Sequence, residues 1–275
     1  MTVTPPPLKN VTLEPRDLAD LRYARSLLEN PGFAVRLANL LGTPIEKGFS
    51  LLPANWSNSV HKAVHKALRV SLRVAATSLR SGKAGQRASL GFHRLFAGVS
   101  GGIGGAFGLA ALPVELPLST TIMLRSIADV ARSEGHDLRD LTTRLACLEV
   151  FALGGRSQSD DAAENAYWAM RTVLAGAITE AATHLARHGL AQESAPALVR
   201  FISVVASRFG VVVSEQVAAK AVPVVGAATG SALNVLFTAH FQSMARGHFI
   251  VRRLERVYGP TIVREVYEQI DPPAH

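Results

Sequence analysis

The sequence predicts an all-α protein: a single multi-helix domain with two glycine-rich, apolar central helical segments. Three observations lead there. Apolar residues recur at helical intervals along most of the chain, breaks are marked by Pro-Gly and Gly-Gly pairs, and no strand–helix alternation appears.

Residues 1–13, with consecutive prolines Pro5, Pro6 and Pro7, read as a disordered leader to a helical domain over 14–275. From Glu14 to Asn30, Leu18, Leu21, Leu27 and Leu28 share a side, and Pro31-Gly32 stops the helix. A short helix follows over Phe33–Leu41, ended by Gly42 and Pro44. Trp56–Arg80 is the clearest amphipathic helix. Past a Ser81-Gly82 break and a linking helix, Leu116–Glu134 is helical with Gly135 as its stop, and Leu138–Leu153 is ended by Gly154-Gly155. Ser159 caps a long helix to His188, with Asp160 and Asp161 favourably placed in its first turn. The stretch FISVVASRFGVVV is β-branched enough for a strand, but its length and lack of turn signals favour a helix from Pro196 to about Lys220. Pro223 opens a final long helix to Tyr258, and Pro260 begins a last short one.

The chain of 275 residues can bury a substantial core, and 48% of it is hydrophobic with 6% aromatic. A mean hydropathy of +0.20 lies between soluble and multi-span membrane proteins. Cys147 is the sole cysteine, which excludes an internal disulfide and a cysteine-built zinc site and fits a reducing compartment. The opening MTVTPPPLKN lacks a basic region followed by an apolar run, so a cytoplasmic location is expected.

The net charge of +8 is unevenly placed: residues 47–114 contain no acid but nine Lys or Arg. Within the amphipathic helix, Lys62, Lys66, Arg69, Arg73 and Arg80 form a basic stripe opposite Val60, Val64, Ala67, Leu68, Ala75 and Leu79. Such a stripe suits a solvated surface or an anionic lipid surface. Nucleic acid is disfavoured, because aromatic residues for base stacking are not interleaved with the charges. Arg246, His248, Arg252, Arg253 and Arg256 make a second basic cluster.

The run GVSGGIGGAFG tests several chemistries. No lysine follows it as a phosphate loop needs, and Phe107 stands where a dinucleotide fingerprint requires its third glycine. Gly98-Val99-Ser100-Gly101-Gly102 matches the nucleophile-elbow pattern, making Ser100 a candidate nucleophile, but the preceding LGFHRLFA is helical rather than strand-like. From Ala97 to Leu124, Glu115 is the sole ionisable residue, and His240 is the sole titratable one from Ala221 to Ala245. Both segments are long enough to cross a bilayer, although Pro113 and Pro117 interrupt the first; core helices or a shallow hairpin explain them as well. Gly98/Gly102, Gly101/Gly105, Gly104/Gly108 and Gly226/Gly230 recur at four-residue spacing, so close helix contact accounts best for the glycines.

Among polar groups, Glu115, Arg125, Asp129 and Arg132 form a set in which Asp129 can reach both arginines along one helix face. Asn234, inside an apolar run, needs an interhelical hydrogen bond if buried. Glu115 is also a candidate acid. Two HxxxH pairs, His61/His65 and His184/His188, put rings on one helix face; Glu180 extends the second into a candidate metal set, whereas Lys62 beside the first repels a cation. No cofactor motif is found.

The blocks GVSGGIGGAFGLAALPVELPLSTTIMLRSIADVARSEGHDL, RLACLEVFALGG and AVPVVGAATGSALNVLFTAHFQSMARGHFIVRRLERVYG resemble the EcsC protein family. The resemblance implies a bacterial protein whose family is named after a neighbour of ABC-transporter genes, hence membrane transporter components as partners; it carries over no catalytic residue. The expected function is binding of anionic lipid surfaces through basic helix faces, peripheral to the inner membrane, with integral attachment as a variant. A hydrolase centred on Ser100 or Glu115, or a soluble helical lipid carrier, are the alternatives.

Overall fold

The computed structural model describes residues 13–29, 33–42, 45–79, 112–155, 166–222 and 227–270. Among them are ten helices and no strand: α1 (Pro15–Leu28), α2 (Phe33–Leu41), α3 (Glu46–Ser50), α4 (Trp56–Thr77), α5 (Leu112–Ser133), α6 (Leu141–Leu153), α7 (Ala166–His188), α8 (Pro196–Ala221), α9 (Ala227–Tyr258) and α10 (Pro260–Gln269). The glycine run 98–108, Ser100, Arg80 and the cap at Ser159 lie outside the described residues.

Burial settles the ambiguous β-branched stretch as helix. In α8 the buried positions are Leu198, Phe201, Ile202, Val205, Phe209, Val212, Val213 and Val217, a period of three to four residues rather than two. Pro196 opens the helix, where its missing N–H leaves no intrahelical bond unmade. α8 is the one helix among the described residues long and apolar enough to cross a membrane, with mean hydropathy 1.7 over its best window. It packs against α2, α3, α4, α6 and α7, with α9 alongside. The two apolar segments singled out in the sequence send Leu116, Met123 and Leu124 of α5, and Leu233, Phe237, Phe241 and Ala245 of α9, into the core, while Val114, Leu118 and Val235 are exposed.

Several boundaries differ from expectation. α5 begins at Leu112 and carries Pro117 inside it, instead of starting beyond the prolines. Pro117 falls in the second turn, where it removes a single bond to the carbonyl of residue 113, so the helix continues through it. α6 starts at Leu141, because Asp140 caps it by accepting from the Thr142 and Thr143 N–H groups at 3.1 and 2.9 Å. Gly135 does stop α5, at φ +78°, with the His136 N–H returning to the Ala131 carbonyl at 3.0 Å. The short α3 was not foreseen.

An aromatic cluster ties the layers together. Phe151 of α6 meets Phe209 of α8 at 4.8 Å between ring centroids and Phe241 of α9 at 5.3 Å, while Phe33 of α2 meets Phe237 of α9 at 5.4 Å. Each fully buried ring of this kind contributes about 1.5–3 kcal/mol relative to exposure. Backbone approach matters too. A Cβ on Gly48 would collide with the Ala218 carbonyl, and one on Gly155 with the Arg208 carbonyl, so two connections press directly on the α8 main chain. Close glycine contact is thus present, at positions other than those expected. Cys147 lies fully buried on α6, and burial pushes its thiol up to about 12.

Candidate functional site

α4 presents its charges as its periodicity requires. Val60, Val64, Ala67 and Leu68 are buried against the core, while Lys62, Lys66, Arg69 and Arg73 are exposed. Arg73 is not available in the same way as the others: its Nε and a terminal nitrogen donate to both oxygens of Glu193 at 2.5 and 2.6 Å. Lys62 and Lys66 have no ion-pair partner among the described residues, and the helix itself contains no acid. Beside this face the His61 and His65 rings meet at a tilt, with centroids 4.5 Å apart. Burial, then His61 and Arg69, push the His65 imidazole below its ordinary value, keeping it neutral at pH 7.

The predicted polar set divides in three. Glu115 does meet Asn234, whose side-chain N–H₂ lies 3.4 Å from Oε1, but its principal partner is Lys220, with Nζ at 2.7 Å from the same oxygen. Gln216 completes the group by donating to Asn234 Oδ1 at 2.6 Å. Three helices, α5, α8 and α9, therefore meet through one half-buried hydrogen-bonded chain. Asp129 pairs with Arg132 within α5. Arg125 departs from the set, because its exposed guanidinium reaches outward to Ser78 Oγ at 3.4 Å. Glu115 is thus engaged in joining helices rather than held as a lone acid.

The candidate metal set is likewise separated. His184 and His188 stack at 4.8 Å, but Glu180 is drawn to Arg200 on α8, 3.5 Å away. Among the described residues, no three His, Cys, Asp or Glu side chains group as a metal site.

A different polar centre was not foreseen. α6, α7, α9 and the α5–α6 connection surround an open cleft of about 500 Å³. At its floor stands Glu149, 3% exposed, the one acid in α6. Behind it lies the fully buried His248, whose Nε2 is 3.4 Å from Glu149 Oε2 and whose Nδ1 is 3.1 Å from the Tyr167 hydroxyl. Burial alone would push the Glu149 carboxyl up, but His248, Arg252 and Arg171 outweigh it and hold the group below its ordinary value. Burial pushes the His248 imidazole down, with Glu149 opposing. The Tyr167 hydroxyl is hydrogen-bonded at Nδ1, whereas Nε2, although 3.4 Å from the carboxylate, lacks hydrogen-bond geometry toward it. Tyr167, His248 and Glu149 thus form one close-packed polar group.

The cleft wall is braced by Arg171 of α7, which donates to both oxygens of Glu255 at 2.6 and 3.0 Å and lies over the Tyr167 and Trp168 rings. Arg252 faces Glu149 Oε2 at 3.6 Å, and His136 Nε2 is fixed 2.9 Å from the Phe249 carbonyl. His248, Arg252 and Arg256 belong to the second basic cluster of the sequence, where positive charge flanking an uncharged stretch reads as a cytoplasmic membrane boundary or as a plain surface helix. The missed signal was Glu149, a single acid inside the apolar run LACLEVFAL.

Neither a curated protein nor a solved structure gave a significant match. A family model does match, over residues 25–254, which takes in the polar junction, the α4 face and the cleft as far as Arg252, while Glu255, Arg256 and Pro260 lie beyond it; the chain belongs to the EcsC protein family.

Proposed function

We propose that this protein is cytoplasmic and binds anionic membrane surfaces peripherally through the exposed basic face of α4. The observation that carries the reading is the pairing state of that face: Lys62 and Lys66 are exposed with no carboxylate partner among the described residues, on a helix with no acid of its own. Such charges gain most from an anionic surface, at about 1 kcal/mol per Lys or Arg close to it. Arg69 adds to the stripe, and Arg73 contributes less because Glu193 already neutralises it. Membrane transporter components, suggested by the family's name, are the partners this location would favour.

The test is flotation of the full chain with vesicles containing phosphatidylglycerol, against pure phosphatidylcholine vesicles, at low and high salt. Binding is expected to the anionic vesicles at low salt and to fall as salt screens the charges. Reversing both lysines (Lys62→Glu with Lys66→Glu) should weaken binding by about thirtyfold or more. Absence of flotation by the parent protein at low salt sinks the proposal.

A further inference from the structure

We infer that the cleft floored by Glu149 is a binding site for a small phosphate ester that also carries a hydroxyl or ammonium group beside its phosphate. Size comes first: about 500 Å³, open to solvent on one side, suits a ligand of this class.

The charges then define what fits. Arg171 is committed, since Glu255 takes it in a two-bond pair and the Tyr167 and Trp168 rings cover its face. Arg252 and Arg256 are not committed in this way. They stand one helical turn apart on α9 and both line the cleft. Arg252 meets a carboxylate at one point, Glu149 Oε2 at 3.6 Å, and Arg256 reaches the Gly135 carbonyl at 3.3 Å. Each guanidinium has five N–H donors in a planar fork suited to phosphate, and the contacts just named use few of them.

Glu149 limits the choice. It lines the same cleft, with the Arg252 guanidinium 3.6 Å from its Oε2. Asp140, on the opposite side, is spent on capping α6. A bare phosphate placed on the two arginines would sit near the Glu149 charge and be repelled. An ester with a hydroxyl or ammonium group one or two atoms away satisfies both: phosphate on Arg252 and Arg256, donor on Glu149. Glycerol phosphate and phosphoethanolamine have this layout, as free metabolites or as lipid headgroups. The inference does not rest on α4, which bears none of these residues.

Calorimetric titration of the full chain with sn-glycerol 3-phosphate, phosphoethanolamine and inorganic phosphate, at matched ionic strength, tests it. One or both esters should bind, at least about tenfold tighter than inorganic phosphate. Arg256→Gln, at an exposed position where folding is not at stake, should weaken ester binding about tenfold. Arg252→Gln should weaken it further. Competition separates the sources: a headgroup ligand makes Arg256→Gln less able to extract short-chain phosphatidylglycerol from detergent, whereas a free metabolite leaves that property untouched. No ester binding, equal binding of inorganic phosphate, or unchanged binding by both arginine variants would each overturn the inference.

Discussion

Lys220 Nζ lies 2.7 Å from Glu115 Oε1, joining the last turn of α8 to the first turn of α5. Both side chains are mostly withdrawn from solvent, at 18% and 11% exposure. Removing one charge therefore strands the other. Glu115→Gln is expected to lower unfolding stability by about 1–3 kcal/mol, read from urea denaturation. Adding Lys220→Met should recover part of the loss, because the stranded ammonium is gone. A double variant no more stable than the single one would refute the pairing as the cause.

Backbone contact makes a contrast among glycines. Gly155→Ala and Gly48→Ala place a methyl group against main-chain atoms of α8, which cannot move aside as a flexible side chain would. Each should destabilise by about 1–3 kcal/mol. Gly176, inside α7, has nothing within 4 Å of a built Cβ, so Gly176→Ala should stabilise by about 0.5–1 kcal/mol. Thermal melts of the three variants read both signs.

Protonation of His136 works against the fold. Burial, opposed by its bond to the Phe249 carbonyl and aided by Arg256 and Arg252, pushes the imidazole from 6.5 down to about 4. The unfolded chain thus binds more protons than the folded one between those values, and stability falls as pH drops through that window, then levels off. The loss amounts to about 3 kcal/mol at most. The buried His248 adds in the same direction, and Glu134, pushed up by burial, opposes it. His136→Gln keeps a donor for Phe249 and should flatten the parent's decline between pH 6.5 and 4. Superimposable pH–stability curves would show that His136 contributes nothing.

Arg25 fastens α10 to α1. It is 5% exposed, donates to the Tyr267 carbonyl at 2.7 Å and to the Ile270 carbonyl, pairs with Glu29 at 2.8 Å, and lies 5.2 Å from the Tyr267 ring centroid. A lysine cannot reproduce that fork, so Arg25→Lys should cost about 1–3 kcal/mol. Amide exchange should speed up selectively over Pro260–Gln269. Exchange that rises elsewhere and spares this helix would count against the clasp.

Local signals were read well and distant ones were not. Helix positions follow from periodicity and from stops such as Gly135 and Gly259, because caps and amphipathic faces are encoded within a few residues. The α4 face was legible for the same reason. Asn234 was correctly expected to need an interhelical partner, yet Lys220 and Gln216 could not be named, since spacing along the chain does not say which helix ends meet. Arg125 was misassigned by trusting a four-residue interval, which permits a contact without requiring one. Glu149 and His248 were overlooked because each looks ordinary in its own helix; only the packing of α6, α7 and α9 brings them into one polar group. Boundaries near Pro117 moved because one missing bond early in a helix is tolerable.

The buried Cys147 gives the protein an internal stopwatch. It is the single thiol in the sequence, is fully enclosed on α6, and is pushed up to about 12, so the native state offers a thiol reagent almost no thiolate to attack. Modification must wait for the core to open, and its rate in plain buffer counts those openings. One chromogenic disulfide reagent can then rank every variant above without any denaturant.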